Sequence, residues 1–244
     1  SCAAAGIATA IAATITGTNL AMVENLPDTG DCPATVIIQK GHTVNFGANI
    51  TQIVKMTGAQ LQEIGSCNKT MIYQLEGAFN DSTSAILFVV SHHAVQTGML
   101  SLEQVVDLAT RRRIPVVVDA AAEMDLRKYI AAGASMVIYS GQKAVSAPTS
   151  GFICGQKSLI NACLLQASGI CRTMKIGKEA MVGLLVALQQ YASKDLQAEQ
   201  DGQLALLKEI QESLRGIHGL KTRIAHDATR PIYRLELILP VNSE

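Results

Sequence analysis

Apolar residues in this chain gather in short runs separated by longer polar-patterned stretches. The runs are TVIIQ (35–39), QLQEIG (60–65), SAILFVV (84–90), IPVVVDA (114–120), MVIYS (136–140) and GFICG (151–155). Largely continuous apolar runs, as opposed to apolar/polar alternation, suit strands covered on both faces. Helical patterns fall between them. SLEQVVDLATRRR has Ser101 as its N-cap and an acidic first turn, and DLRKYIAAG is capped by Asp125 and closed by Gly133. Strands alternating with helices predict an α/β fold built on a mostly parallel sheet flanked by helices. From Lys175 to Gly216 the pattern becomes long, amphipathic and helical, and it then gives way to LKTRIAHD and RPIYRLELIL, which read as strands. The expected organisation is a large domain over 1–191, followed over 192–244 by a bridging helix and the start of a small C-terminal α+β domain. No internal repeat or Pro/Ser-rich linker interrupts it.

Composition narrows the class. The chain has 244 residues, 48% of them hydrophobic and 16% charged, enough apolar material for a sizeable core, which excludes disorder. Twenty basic and twenty acidic residues cancel, so no global field gathers nucleic acid or an anionic membrane, and neither is expected as a partner. Arg111, Arg112 and Arg113 read as the solvated end of a helix. Six cysteines without C-x-x-C or metal-type spacing suggest reduced thiols in a cytoplasmic protein. The opening SCAAAGIATAIAATITG is apolar but Ala-rich, without a basic leader and short for a membrane span. The missing initiating Met and the abrupt end after LELILPVNSE lead us to expect a fragment.

In an open α/β sheet, ligands bind beyond the carboxyl ends of the strands, so polar residues that directly follow the runs are the candidates. Asp119 ends VVVDA. Ser140 ends VIYS, with Lys143 just after it. His42 follows TVIIQKG, and Ser91, His92 and His93 follow LFVV. Taken singly, each also reads as a cap, a turn former or a hydrogen-bonded structural residue. Adjacent histidines on a strand point to opposite faces, which is poor geometry for shared metal ligation, so no metal is expected. Together the positions match what pyridoxal phosphate needs: a Schiff-base lysine, a carboxylate for the ring nitrogen, a flat neighbour and phosphate donors. Lys143, Asp119 and His42 could supply the first three. Among its small neighbours Lys143 is expected to be desolvated, which would favour its neutral amine. Ser140 offers a hydroxyl, and Ser1, Cys2 and Ala3 begin a helix whose amides favour a phosphate.

The order of a small-residue helix start, a His after a strand, VVVDA, and SGQK followed by PTSGFICG resembles the large domain of fold-type I (aspartate aminotransferase-like) pyridoxal phosphate enzymes. EIGSCNKT (63–70), IPVVVDAAAEMDL (114–126), GASMVIYSGQKAVSAPTSGFICGQKSLI (133–160) and ICRTMKIGKEAMVGLLVALQQY (170–191) are similar to the selenocysteine synthase-like (SelA-like) branch, and most of all to its small-molecule ammonia-lyase members. The resemblance implies that Lys143 carries the cofactor, that Asp119 pairs with the ring nitrogen and that His42 lies on or beside the ring. It places the phosphate at Ser1, Cys2, Ala3 and Ser140, with Thr149 and Ser150 reaching a phosphate across a dimer interface. It also makes Arg172 and Lys175 candidates for a substrate carboxylate or phosphate, although both read equally as solvated helix charges.

The implied reaction is elimination of water and then hydrolytic release of ammonia from a phosphorylated amino sugar acid, giving a 2-keto-3-deoxy acid phosphate, in a homodimer or higher homo-oligomer. Two alternatives stand beside it. One is selenium transfer onto seryl-tRNA. Against it, Gln142 precedes the lysine where selenium transferases usually carry an acid, and Cys67, Lys69 and Met71 stand where that branch prefers Thr, Arg and His. The other is a non-catalytic Rossmann-like binding module, for which no G-x-G-x-x-G follows the first strand.

Overall fold

The computed structural model describes residues 1–91, 93–226 and 232–240; His92, one of the strand-end candidates, lies outside them. The chain divides into two compact units, Ser1–Gln189 and Gln190–Glu244.

In the first unit, helices α1 (Ala3–Thr16) and α2 (Leu20–Asn25) precede strand β1 (Thr35–Gln39). Then come α3 (Ile50–Lys55), β2 (Gln60–Ile64), α4 (Ile72–Ala78), β3 (Thr83–Val89), α5 (Leu102–Arg112) and β4 (Val116–Asp119). The series continues with α6 (Lys128–Ala131), β5 (Met136–Ser140), α7 (Gly141–Ala144), β6 (Gly151–Gly155), α8 (Lys157–Leu165) and α9 (Lys178–Ala192). Each of the six apolar runs is a strand. The sheet order is β2-β1-β3-β4-β5-β6, with β1 to β5 parallel and β6 antiparallel at the edge.

Burial explains the continuous apolar runs, because β1, β3, β4 and β5 are buried at every position. Val36, Ile38, Leu87, Val117 and Ile138 pack on one face with α1. Ile37, Phe88, Val118, Val137 and Tyr139 pack on the other with α5. Helix α1 is buried over most of its length because alanine and glycine let it approach the sheet closely. A Cβ on Gly6 would stand 2.7 Å from Ile138 Cγ2, so a side chain there would lift the helix off β5.

Two helical expectations need correction. Only α6 forms from DLRKYIAAG: Asp125 accepts from the N–H groups of Arg127 and Lys128 at 2.9 and 3.0 Å and holds a turn ahead of the helix. The long helical stretch is two helices, α9 and α10 (Leu196–Ser213), because Asp195 caps the second by accepting from Gln197 and Ala198 N–H.

The second unit pairs α10 with an antiparallel hairpin, β7 (Lys221–His226) and β8 (Tyr233–Ile238). Gln211 on α10 donates to the Thr222 carbonyl at 3.2 Å, and Arg223 reaches Glu236 across the hairpin at 2.6 Å. All six cysteines are free thiols. Among the described residues, no helix is long and apolar enough to cross a membrane, and no group of three His, Cys, Asp or Glu could hold a metal.

Candidate active site

Strand alternation sets the site. Val118 faces the α5 side, so Asp119, like Val117, faces α1 at the carboxyl end of β4. Its carboxylate is 7% exposed and accepts from the Ala121 N–H at 3.1 Å. Burial pushes its pKa up from 3.8 to about 6, while the Ala121 amide and the charge of Lys143 pull it back.

The neighbouring strand β5 ends at Ser140, whose N–H donates to the Ala121 carbonyl at 3.1 Å, tying the two strand ends together. Lys143 follows on the single turn of α7. This turn is fixed from below by Gly141 N–H donating to the Ser150 carbonyl at 3.0 Å.

The N-terminus of α1 closes the third side. Cys2 is its N-cap; its Sγ accepts from Ala5 N–H at 3.4 Å and its carbonyl from Gly6 N–H at 3.0 Å. That leaves Ala3 and Ala4 as the amides the helix itself does not use. Gly151 makes this approach possible, since a Cβ there would lie 2.5 Å from the Cys2 carbonyl.

Cys2, Ala3, Asp119, Ser140 and Lys143 therefore line one cavity of about 290 Å³. Ile7, Val44, Phe46, Ile50 and Gln142 complete much of its wall; none of these was singled out by the sequence as a site residue. Phe46 is the flat group of this wall and lies on the loop between β1 and α3. Its signal was weak: one aromatic in VNFGAN, beside a glycine, where a turn is the ordinary reading.

Other expected residues lie elsewhere. His42 is fully buried and not part of the cavity wall. Its Nδ1 accepts from Val89 N–H at 3.2 Å, and its ring meets Phe88 edge-on at 4.7 Å. It thus caps the β1–β3 ladder where β1 ends, and burial lowers its pKa from 6.5 to about 4. Ser150 is buried beneath α7 and donates to the Pro148 carbonyl at 2.7 Å, while Thr149 is exposed. The Ser1 ammonium donates to the Met174 carbonyl at 3.1 Å, which brings the segment carrying Arg172 and Lys175 to the start of α1. Arg172 and Lys175 are themselves exposed and line no part of the cavity. Lys143 is also exposed and lines the cavity, so it is not shut away among its small sequence neighbours.

A second cavity, about 490 Å³, adjoins the first and shares Val44 and Phe46 with it. Lys40, Thr43, Asn45, Cys67 and His93 line it, from loops after β1, β2 and β3.

The family model for L-seryl-tRNA selenium transferase, SelA, matches residues 5–232. The chain belongs to the SelA family, whose members are fold-type I pyridoxal phosphate enzymes. A D-glucosaminate-6-phosphate ammonia lyase from Salmonella typhimurium is 47% identical over 97% of this chain. A 5'-C-glycyluridine monooxygenase-decarboxylase from a Streptomyces species is 41% identical over 96% of it. The chain spans 63% and 60% of the lengths of these two relatives. A solved D-glucosaminate-6-phosphate ammonia-lyase structure superposes on 98% of the chain and 64% of its own, with a TM-score of 0.86 and 46% identity. This SelA-family chain thus has the aspartate aminotransferase-like fold, with the ends of β4 and β5 gathered at one cavity.

Proposed function

We propose that the chain is the cofactor-binding part of a pyridoxal phosphate-dependent ammonia-lyase acting on a phosphorylated amino sugar acid. The observation that carries this reading is the convergence of Lys143 and buried Asp119 on one cavity roofed by the N-terminus of α1.

The residues present fit the cofactor. A carboxylate held at a raised pKa by burial lacks a cation close enough to compensate, and a protonated ring nitrogen would be that cation. Cys2, Ala3, Ala4 and Ser140 would hold the phosphate with amides, the helix dipole and a hydroxyl. Lys143 would carry the cofactor, and Phe46, in place of His42, would lie against the ring.

When bound, pyridoxal phosphate supplies an electron sink for the pair left at Cα of an amino acid. The chain's own groups do the rest. Asp119 would keep the ring nitrogen protonated. With the substrate amine in its place, Lys143 Nζ would be free to take up the Cα proton, and the resulting Lys143 ammonium would give a proton to the 3-hydroxyl as it departs as water. Lys143 would then retake its place, and the freed unsaturated amine would tautomerise and add one water, releasing ammonia and the 2-keto-3-deoxy acid phosphate. On this reading a second copy would close the exposed Lys143 side of the cavity, so the working assembly would be a homodimer.

Selenium transfer onto seryl-tRNA is less well supported. The chain carries no net positive charge to neutralise RNA phosphates. The wall around Cys67 departs from the pattern of that branch, and 47% identity to an ammonia lyase points to a small substrate.

The test is a titration of the protein with pyridoxal phosphate, followed by keto-acid release from D-glucosaminate 6-phosphate. A visible absorbance band that Lys143→Ala abolishes, together with keto-acid release, supports the reading. A band without release from any amino sugar acid removes the substrate. Absence of the band removes the cofactor.

A further inference from the structure

The two adjoining cavities divide the chemistry unequally. In the cavity with Asp119, Lys143 is the sole cationic side chain among the described lining residues, and on the reading above it is committed to the cofactor. A phosphorylated amino sugar acid has a second anionic end, whose dianionic phosphate needs its own counter-charge. Arg172 and Lys175, the basic residues that the sequence pointed to, line neither cavity.

The larger cavity does offer such a charge. Lys40 lies in its wall together with His93, with Thr43, whose hydroxyl donates to the Lys40 carbonyl at 2.7 Å, and with Asn45, whose side-chain oxygen accepts from Gly47 N–H at 3.1 Å. The Lys40 ammonium is paired only loosely with Glu63, at 3.9 Å, and both side chains are well exposed, so the pair is weak and can exchange for a better anion. Between the two chambers stands Phe46, common to both walls, with the His93 ring edge-on at 4.9 Å.

We propose that the larger cavity receives the phosphorylated end of the substrate, with Lys40 as its counter-cation and Phe46 as the partition between the reacting and recognised ends. The proposal rests on the functional reading above. It also explains what a chamber larger than the cofactor cavity is doing beside it. The hydroxyl-bearing carbons of the sugar acid would pass over Phe46, and Thr43 and Asn45 would meet the hydroxyls near the phosphate.

Cys67 supplies the test, because its exposed thiol lines this cavity, whereas the exposed Cys2 lines the other. The protein loaded with pyridoxal phosphate is alkylated with iodoacetamide, and the labelling rate of each cysteine is read by peptide mass spectrometry. The probe is 6-phosphogluconate, which lacks the amine and cannot react, with gluconate as its control.

The expected result is that 6-phosphogluconate slows labelling of Cys67 and gluconate does not. In Lys40→Gln the half-protecting concentration should rise about tenfold or more, as for loss of one hydrogen bond to a charged group. In Glu63→Gln, where Lys40 loses its competitor, it should fall. Equal protection by gluconate, no protection by either, or a Lys40→Gln variant protected like the parent would each overturn the proposal. Cys2 separates the two readings: if pyridoxal phosphate fails to slow its labelling, the cofactor assignment falls, while the Cys67 result still reports on the phosphate chamber.

Discussion

Replacing Asp119 with Asn should make the cofactor-free protein more stable at neutral pH while disabling it as a cofactor site. The carboxyl is 7% exposed, and burial is the leading cause of its raised pKa, so the ionised form is penalised in the folded state. Raising the pKa from 3.8 to about 6 corresponds to about 3 kcal/mol. The sign follows from proton counting. Between those values the folded chain keeps a proton that the unfolded chain has lost, so stability falls as pH rises through the window and levels off above about 6. Asn cannot ionise, and its side-chain oxygen can still accept from Ala121 N–H, so packing and the hydrogen bond survive. Urea unfolding of both cofactor-free proteins from pH 4 to pH 8 measures the difference. The variant's advantage should grow from near zero at the acid end to about 3 kcal/mol at neutral pH. Adding pyridoxal phosphate should stabilise the parent but leave the variant with at least about tenfold weaker affinity, the loss expected when a buried charge-assisted contact becomes neutral. A variant equally or less stable than the parent at pH 8, with a difference independent of pH, would refute the picture of Asp119 as a carboxylate awaiting a cation.

His42 carries the opposite pH dependence. Its pKa is lowered from 6.5 to about 4, so stability present above 6.5 is lost as pH falls through this range; His42→Asn, which keeps an acceptor for Val89 N–H, should flatten that acid limb in the same unfolding experiment. Gly151→Ala places a Cβ 2.5 Å from the Cys2 carbonyl and should displace the start of α1, costing about 1–3 kcal/mol in urea unfolding and weakening cofactor affinity in a fluorescence titration. In the second unit, Asp195→Ala removes the cap of α10 and should cost about 1 kcal/mol, read as faster amide exchange over 196–200 with cofactor affinity unchanged.

That Asp119, Ser140 and Lys143 meet at one cavity was legible in the sequence because strands report their own ends. A fully buried parallel strand reads as an unbroken apolar run, and the first polar residue after it stands at the carboxyl edge. VVVD and VIYS thus delivered Asp119 and Ser140, with Lys143 one short turn beyond. The same logic failed at His42. The position follows a strand as expected, yet a 3-10 turn over Lys40–His42 folds the imidazole inward onto the unpaired Val89 amide, a long-range partner that no local pattern announces. Lys143 failed differently: its neighbours in sequence are small, but it is exposed and lines the cavity, so sequence neighbours were a poor guide to solvation. The Asp195 break was readable as a cap ahead of an acidic first turn, and was hidden only by the helical propensity on both sides.

What remained invisible has a common physical cause, and it bears on how one fold serves relatives with different names. The groups that would hold the cofactor sit on strand ends and on α1, where burial on both sheet faces leaves little freedom to move them. Phe46, Lys40, Cys67 and His93 sit on loops after β1, β2 and β3, which meet only once the parallel strands are assembled. Loops tolerate substitution without disturbing the sheet. Cys67 lines that second wall, apart from the cavity that holds Asp119 and Lys143. If the larger cavity receives the phosphorylated end of the substrate, selectivity would be decided on the far side of Phe46, and exchanging the 40–46 and 66–70 loops between relatives should transfer substrate preference while the cofactor's absorbance stays the same.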